Sequence, residues 1–498
     1  MPGFTGYQTM KADIPKEVKF VLDGLKAKGF QAYVVGGCVR DLLSKRKPAD
    51  WDVTTDAAPE QIASIFPDNF SDNKFGTVTV IAKSDDPTLR DIEVTPFRTE
   101  QNYTDRRHPD EVKWAKTIEE DLSRRDFTVN ALALDETDGE VSMIDLFDGQ
   151  KDLKAKILRT VGKAEERFNE DALRMLRAIR FSVTLGKDWE IEAKTKKAIS
   201  DNDYLLKEIS QERIKEELSK MIASDEAAQG IESLRETGLL KYIIPELLEG
   251  YKVGQNKHHV YDIYEHSIRC LDFAAKKKFN FHVRMAALLH DIGKPRTKRG
   301  DGIDSTFYGH DIVGARIAKQ VLGRLKFPNK DAEKITLLVR YHLFYYNVDE
   351  VGESSIRRLV RNVGVENMEE LLQVRMADRI GSGCPKAEPY KLRHFKYLVE
   401  KVAQDPISAK MLEADGQDVM RILAIKPGPK IGRILDILLG IVLIDPAKND
   451  KGFLADKIKE LGRLSEAELM EMAQDAKEER DQTETKRDEM TKQKYWVT

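Results

Sequence analysis

The chain has 498 residues, and its 82 basic and 85 acidic side chains leave a net charge of −3, so no global positive field advertises nucleic acid and only local basic clusters can hold such a partner. No apolar run of about 18 residues occurs and the first 30 residues mix lysines with acids, which argues against a membrane span or signal segment and for a cytoplasmic protein of three or four domains. The three cysteines, Cys38, Cys270 and Cys384, are odd in number and widely spaced, which argues against a disulfide framework and against a Cys-based zinc site.

Residues 18–150 alternate short strands and helices, with β-branched, alternating stretches at 32–35, 52–54, 76–82 and 92–97. The first strand runs into Gly36-Gly37-Cys38-Val39-Arg40-Asp41, and Asp50-Trp51-Asp52 follows. Glycines at a helix start let backbone N–H groups approach phosphates. Two aspartates on one strand face can hold Mg²⁺. Either feature alone is ordinary; together, in this order, they point to nucleotide transfer, in which metal ions activate a hydroxyl and neutralise the leaving pyrophosphate. The strand-like run around Ile92 places Glu93 on its polar face, where it is a candidate general base or additional metal ligand.

Arg124-Arg125-Asp126 and Asn130 come next. The arginines offer forked phosphate binding, and Asp126 and Asn130 can bond a ribose hydroxyl. From about residue 162 the apolar spacing becomes helical. There, Asp171, Arg174, Arg177 and, less closely, Arg180 are expected along one helix face, with Asp171 and Arg174 able to read a base edge. After a loop at 250–257 comes a block with His266, His290, Asp291, Lys294, His310, His342 and Asp378. Imidazole and carboxylate donors suit a divalent metal, and Lys294 is placed to meet a phosphate. A helical region with a tight Pro427-Gly428-Pro429 connection follows, and the end of the chain is densely charged, read as a solvated helix or a disordered tail.

In order, Gly-Gly-x-Val-Arg-Asp, Asp-x-Asp, Arg-Arg-Asp-Phe-Thr-x-Asn-Ala, Asp145 to Gly149, Glu-Asp-x-x-Arg and Glu212 to Leu218 resemble the class II tRNA nucleotidyltransferases and bacterial poly(A) polymerases over about residues 18–450. The resemblance implies an α+β fold: an N-terminal mixed α/β nucleotidyltransferase head, polymerase-β-like, then an all-helical body. It implies Mg²⁺ on Asp50 and Asp52, and nucleotide contacts from Gly36, Gly37 and Arg40. Ribose and phosphate contacts would come from Arg124 to Asp126, and base pairing from Asp171 and Arg174 with Arg177 and Arg180 nearby. It further implies CCA addition to tRNA from CTP and ATP without a nucleic-acid template, with poly(A) or A-only addition as the alternative. The mixed-charge loop 103–111 resembles the flexible element that family members use to switch from C to A, and residues 73–78 lack the basic stretch of poly(A) polymerases.

The histidine block resembles the HD phosphohydrolase superfamily. Its metal set matches His266, His290, Asp291 and Asp378, and His310 and His342 look like the additional histidines of two-metal members. This implies a divalent ion (Mg, Mn, Ni, Co or Fe) and hydrolysis of phosphomonoesters or 2′,3′-cyclic phosphates for RNA-end repair. The expected domains are a head at 18–150, a nucleotide- and RNA-binding neck at 151–255, an HD module at 256–390, a helical tail at 391–450 and a charged terminal segment at 451–498. Lys426, Lys430 and Arg433 are candidate grips on the tRNA backbone. Nothing in the sequence calls for a membrane or an obligate protein partner. A hydrolase with a vestigial head and a non-catalytic RNA binder are the rival readings, and the intact motifs count against both.

Overall fold

The computed structural model describes residues 7–10, 12–72, 76–101, 111–137, 139–256, 260–348, 350–403 and 412–497. The loop expected at 103–111 lies almost wholly outside the described residues, as do 73–75 and His258 and His259. Two compact units emerge: residues 1–342 with 370–385, and residues 343–369 with 386–498. Residues 343–369 of the segment expected as the HD module therefore fall in the second unit.

The first unit begins with the strands β1 (Tyr7–Met10), β2 (Ala32–Val35), β3 (Trp51–Thr55), β4 (Asn69–Asp72), β5 (Thr77–Ile81), β6 (Asp91–Pro96), β7 (Arg98–Gln101), β8 (Glu111–Trp114), β9 (Leu132–Thr137) and β10 (Glu140–Asp145). Eight of them form one mixed sheet in the order β1-β10-β9-β2-β3-β6-β5-β4, and β7 and β8 pair separately. The four strands expected from the sequence are present. Only β3 and β6 run parallel in the large sheet, and their register sets Asp52 beside Glu93.

Strand parity explains what each face does. Ala32, Val34, Trp51, Val53, Ile92 and Val94 point into one core, with Val18, Val21, Leu22 and Leu25 of the helix Lys16–Lys26. That spacing gives the helix one apolar stripe; burying each large aliphatic stabilises the fold by about 1.5–3 kcal/mol. The alternate residues Tyr33 and Val35 face a smaller core with Phe97 and Leu122. Asp52 and Glu93 share that second parity, so β3 and β6 bring two carboxylates to the same face.

Beyond the head the first unit is helical, apart from a two-stranded parallel patch, Ile157–Leu158 with Glu190–Ile191. The histidine block lies on the helices Ile263–Lys276, Phe281–Leu289, His310–Arg324, Asn329–Tyr341 and Met368–Gly381.

The second unit is all helix among the described residues, with a core of Val419, Ile434, Ile437, Leu438, Leu454, Ile458 and Leu469. Pro429 occupies the first turn of the helix Pro429–Ile444, where its missing N–H costs nothing. The charged end of the chain is a 30-residue helix, Glu466–Tyr495. Ser465 and Glu468 form its capping box. Tyr397 donates to Asp488 at 2.5 Å, and Lys494 and Tyr495 both donate to Glu400, at 2.6 and 2.7 Å. No helix among the described residues is long and apolar enough to cross a membrane.

Candidate active sites

In the head, β2 ends at Gly36, whose φ of +84° belongs to a region that side chains avoid. The turn delivers the chain into the helix Gly37–Leu43. A Cβ on Gly36 would stand 2.9 Å from Arg125 Nη1 and 3.3 Å from Asp52 Oδ2, so glycine turn, acid and arginine converge on one point. Burial pushes Asp52 up to about 6, the negative charges of Asp50 and Glu93 push the same way, and Arg125 opposes them. Three carboxylates gathered this closely are a donor set suited to a divalent cation.

The arginines around this point are held in ion pairs. Arg40 donates to Asp41 and, at 2.7 Å, to Asn130 Oδ1; Asn130 Nδ2 donates to Asp126 at 3.1 Å, and Arg177 Nε donates to Asp126 at 2.8 Å. Burial opposes charge on Asp126, but Arg177 and Asn130 outweigh it and hold its pKa at about 2. Arg124 and Arg125 both pair with Asp121, at 2.8 and 3.1 Å, a fully buried carboxylate that sequence reasoning passed over. Its place three and four residues ahead of them, on the helix Ile118–Ser123, was the available signal.

The expected single stripe from Asp171 to Arg180 is corrected by the fold. The helix carrying the arginines spans Leu173–Thr184, while Asp171 has extended backbone at the end of the preceding helix, Ala164–Glu170. Its carboxylate caps Leu173 N at 3.0 Å and takes both arms of Arg213, at 2.7 and 3.2 Å. An Asp favours such a cap over a helix interior because it bonds free N–H groups. Arg174 pairs with Glu170 at 2.6 Å and donates to Arg124 O at 2.9 Å, and Arg180 pairs with Glu217 at 2.6 Å. Phe181, also missed, lies beneath Arg40, Arg177 and Arg180, the last only 3.6 Å from the ring centroid. Cys38 is buried beside these groups, with Sγ 3.1 Å from Val35 O; burial pushes its thiol up to about 12, as expected of an inert small residue.

The second cluster is within the first unit too, and all six expected donors meet there. His266 Nε2 is 3.0 Å from His290 Nε2, and each is 3.2 Å from Asp291 Oδ2. Asp378 Oδ1 stands 3.4 Å from His266 and 3.8 Å from His290. His310 and His342 approach Asp291 Oδ1 at 3.4 and 3.7 Å, with 3.3 Å between their own Nε2 atoms. The Nδ1 atoms of His290, His310 and His342 sit 2.8, 2.7 and 2.7 Å from backbone carbonyls of Ala287, Phe307 and Val339. That assigns a proton to each Nδ1 and turns each Nε2 toward the centre, as in metal-binding imidazoles.

Facing nitrogens at such distances repel unless a proton or cation lies between them. Burial opposes charge on His290, but Asp291 and Asp378 raise its pKa to about 10; a bound cation would displace that proton. Lys294 departs from expectation: it is buried, its Nζ 2.7 Å from both Asp291 Oδ2 and Gln255 Oε1. It pairs with Asp291 rather than reaching outward for phosphate. Lys430 and Arg433 in the second unit are likewise engaged, by Gly462 O at 2.9 Å and by Glu466.

Known protein families match the segments that carry both clusters. Residues 32–159 match the family described as "Poly A polymerase head domain", 188–250 "Probable RNA and SrmB-binding site of polymerase A", and 263–381 "HD domain". A CCA-adding enzyme of Lactobacillus delbrueckii subsp. bulgaricus is 33% identical over 437 residues, covering 88% of this chain and 95% of its own. That of Lactococcus lactis subsp. lactis is 32% identical over 446 residues, covering 89% and 97%. The Bacillus stearothermophilus CCA-adding enzyme, solved with CTP, superposes with a TM-score of 0.56 at 29% identity, covering 90% of this chain and 98% of that one. The Thermotoga maritima CCA-adding enzyme, solved with tRNA, shares the fold at 20% identity, with a TM-score of 0.53 and coverage of 91% and 99%.

Proposed function

The chain belongs to the family of CCA-adding enzymes, and from that membership we propose that it extends tRNA 3′ ends with CCA from CTP and ATP in the cytoplasm, through the site built around Gly36, Asp52 and Arg125. The observation that carries this reading is the convergence of those three residues at one point, with Glu93 in register beside Asp52. The expected A-adding alternative is not favoured, since the relatives that match along their length are CCA-adding enzymes.

Asp50 and Asp52 would hold Mg²⁺, which supplies charge neutralisation for the departing pyrophosphate. Glu93 takes the proton of the attacking hydroxyl. Gly36 and Gly37 admit the phosphates to backbone N–H groups, and Arg40, Arg124 and Arg125 bind phosphate by exchanging carboxylate partners for phosphate oxygens. Asp126 and Asn130, already linked through Nδ2, address the ribose. Asp171 and Arg174 read the base, which requires Asp171 to release Arg213; Arg177 and Arg180 flank them on Phe181. Such pre-formed pairs keep the arginines oriented before the nucleotide arrives.

The divisions 18–150, 151–255, 256–390, 391–450 and 451–498 stand as proposed functional segments. In the HD segment, His266, His290, Asp291, His310, His342 and Asp378 would hold one or two divalent ions for hydrolysis of 2′,3′-cyclic phosphates or phosphomonoesters on damaged RNA ends.

One assay tests the first reading: tRNA ending before CCA is incubated with CTP, ATP or both, and the products are sequenced. Two C residues from CTP alone and CCA from the mixture are expected. Homopolymeric A tails from ATP alone would overturn it. Opening of an RNA 2′,3′-cyclic phosphate by water to the phosphomonoester, lost in His290→Ala, tests the second reading; equal conversion by the variant would sink it.

A further inference from the structure

The helix His310–Arg324 starts at the HD centre and is fastened there. His310, its first residue, turns its ring inward with Nδ1 on Phe307 O at 2.7 Å, and the buried Phe307 ring lies 5.6 Å from Lys294 Nζ. A Cβ on Gly293 would collide with His310 O and Gly314 N, so the turn that follows His290 and Asp291 packs directly on the first turn of this helix. Tyr308, between Phe307 and His310, is thereby held at the centre: chain length alone keeps its Cα within about 8 Å of that of His310. Its side chain nevertheless faces solvent and is 81% exposed.

The outer face of the helix continues outward from Tyr308. Gly314, Ile317, Ala318 and Val321 are buried, whereas Ile312, Arg316 and Lys319, spaced i, i+4, i+7, share the solvent face. At about 1.5 Å per residue, Arg316 and Lys319 stand about 9 and 14 Å beyond His310 along the axis. Among the described residues neither cation has a carboxylate partner and Tyr308 has no hydrogen bond. Asp311, the acid of the first turn, is held by Arg340 and leaves the two charges unopposed. An exposed aromatic ring, an apolar side chain and two unneutralised cations in a row have the make-up of a single-stranded nucleic-acid track, with bases on the ring and phosphates on the cations.

We propose that this face is the track along which a single-stranded RNA 3′ end enters the HD centre: Tyr308 stacks on the terminal base, Ile312 packs on the nucleotide before it, and Arg316 and Lys319 hold phosphates upstream. The inference rests on the hydrolase reading of the HD segment and narrows its substrate to the end of a polynucleotide. A cyclic mononucleotide, with one base and no upstream phosphate, would use Tyr308 alone.

The test compares two substrates on the full-length protein supplied with Mn²⁺: 2′,3′-cyclic AMP and a short single-stranded RNA ending in a 2′,3′-cyclic phosphate. Wild type should open the RNA with a KM about tenfold or more below that of the mononucleotide. Arg316→Gln combined with Lys319→Gln should raise KM for the RNA only, and should lower the slope of log KM against log salt by about 1.4, as for two lost single-strand phosphate contacts. Tyr308→Ala should raise KM for both substrates by about 5–100-fold, and Tyr308→Phe, which keeps the ring, should restore it. Independently of turnover, a 4-thiouridine at the 3′ terminus of the RNA should cross-link to Tyr308 when the products are mapped by mass spectrometry. Equal KM for the two substrates in wild type, or an unchanged RNA KM and salt slope in the double variant, would overturn the track and leave the hydrolase reading intact. If wild type opened neither substrate, the hydrolase reading would fall; cross-links confined to the head would then overturn the track as well, whereas cross-links at Tyr308 would uphold it as an RNA-binding face.

Discussion

In the head, acids and bases already hold each other: Asp121 holds Arg124 and Arg125, Asp126 holds Arg177, and Asp171 holds Arg213. In the HD centre, imidazole faces imidazole across 3.0 and 3.3 Å, and the carboxylates pair with cationic side chains, Lys294 on Asp291 and Arg375 on Asp378, both at 2.7 Å. The first arrangement pairs its arginines in advance, so that a nucleotide would bind there by exchange of partners. The second turns imidazole nitrogens toward one another, an arrangement that a bound cation would complete. A site that exchanges partners tolerates loss of one member with partial function, whereas a site completed by an ion loses its purpose with any principal donor.

The sharpest break between the two is a crossed pair of variants. Asp52→Ala should lower nucleotide addition by about a thousandfold or more while leaving metal uptake by the HD centre unchanged. His290→Ala should do the reverse, with metal content falling and CCA addition kept. Primer-extension rates and metal analysis on the same two preparations decide it. If either variant abolished both properties with the fold intact by circular dichroism, the two sites would not be independent.

Next in size is Asp121→Ala. Removing a buried carboxylate strands two half-buried guanidinium groups, which costs about 3–5 kcal/mol. Urea unfolding should show a loss of this size, together with a raised KM for both CTP and ATP. A loss below about 1 kcal/mol would mean that solvent satisfies Arg124 and Arg125 and that Asp121 does not position them.

How far the sequence reached differs between the same two regions. Strand parity gave Asp52 and Glu93 each a polar strand face, which the parallel pairing of β3 and β6 sets side by side, because period two is a local property, and the histidine donors were legible because their residue types are rare and chemically narrow. Asp171 was misplaced onto the arginine helix: its spacing to Arg174 fits an unbroken helix, and only tertiary structure shows Arg213 drawing it out as a cap. Asp121 and Phe181 were missed because an acid in a run of acids and a Phe in an apolar helix look ordinary until their partners are known. Cys270, for which the sequence argues neither a disulfide nor a zinc role, packs with Ala274, Ala287 and Ala377, neighbours that only the fold brings together.

Asp126 gives the comparison a pH axis. Its pKa is about 2 in the fold against an ordinary 3.8. A depressed pKa means stability that is fully present above about pH 4 and lost as pH falls through 2, worth about 2 kcal/mol. Acid unfolding of wild type should therefore steepen between pH 4 and 2, and Asp126→Asn should flatten that limb. An unchanged limb would show that Arg177 and Asn130 do not hold this carboxylate below its ordinary range.

The smallest effect separates orientation from charge. Phe181 supports Arg40, Arg177 and Arg180 from below but bonds none of them, and each such contact is worth about 0.5–1 kcal/mol at a partly exposed site. Phe181→Leu keeps the buried volume and every carboxylate partner while removing the ring face. The expectation is a rise in nucleotide KM of about three- to tenfold, corresponding to about 0.7–1.4 kcal/mol, with little change in kcat. Because the ion pairs survive, Tm should move far less than in Asp121→Ala. If KM stayed the same, the arginines would be oriented by their carboxylates alone, and partner exchange would need no aromatic platform. If kcat fell instead, the ring would have to hold the nucleotide in its reacting pose, which would bring Phe181 from the supporting layer into contact with substrate.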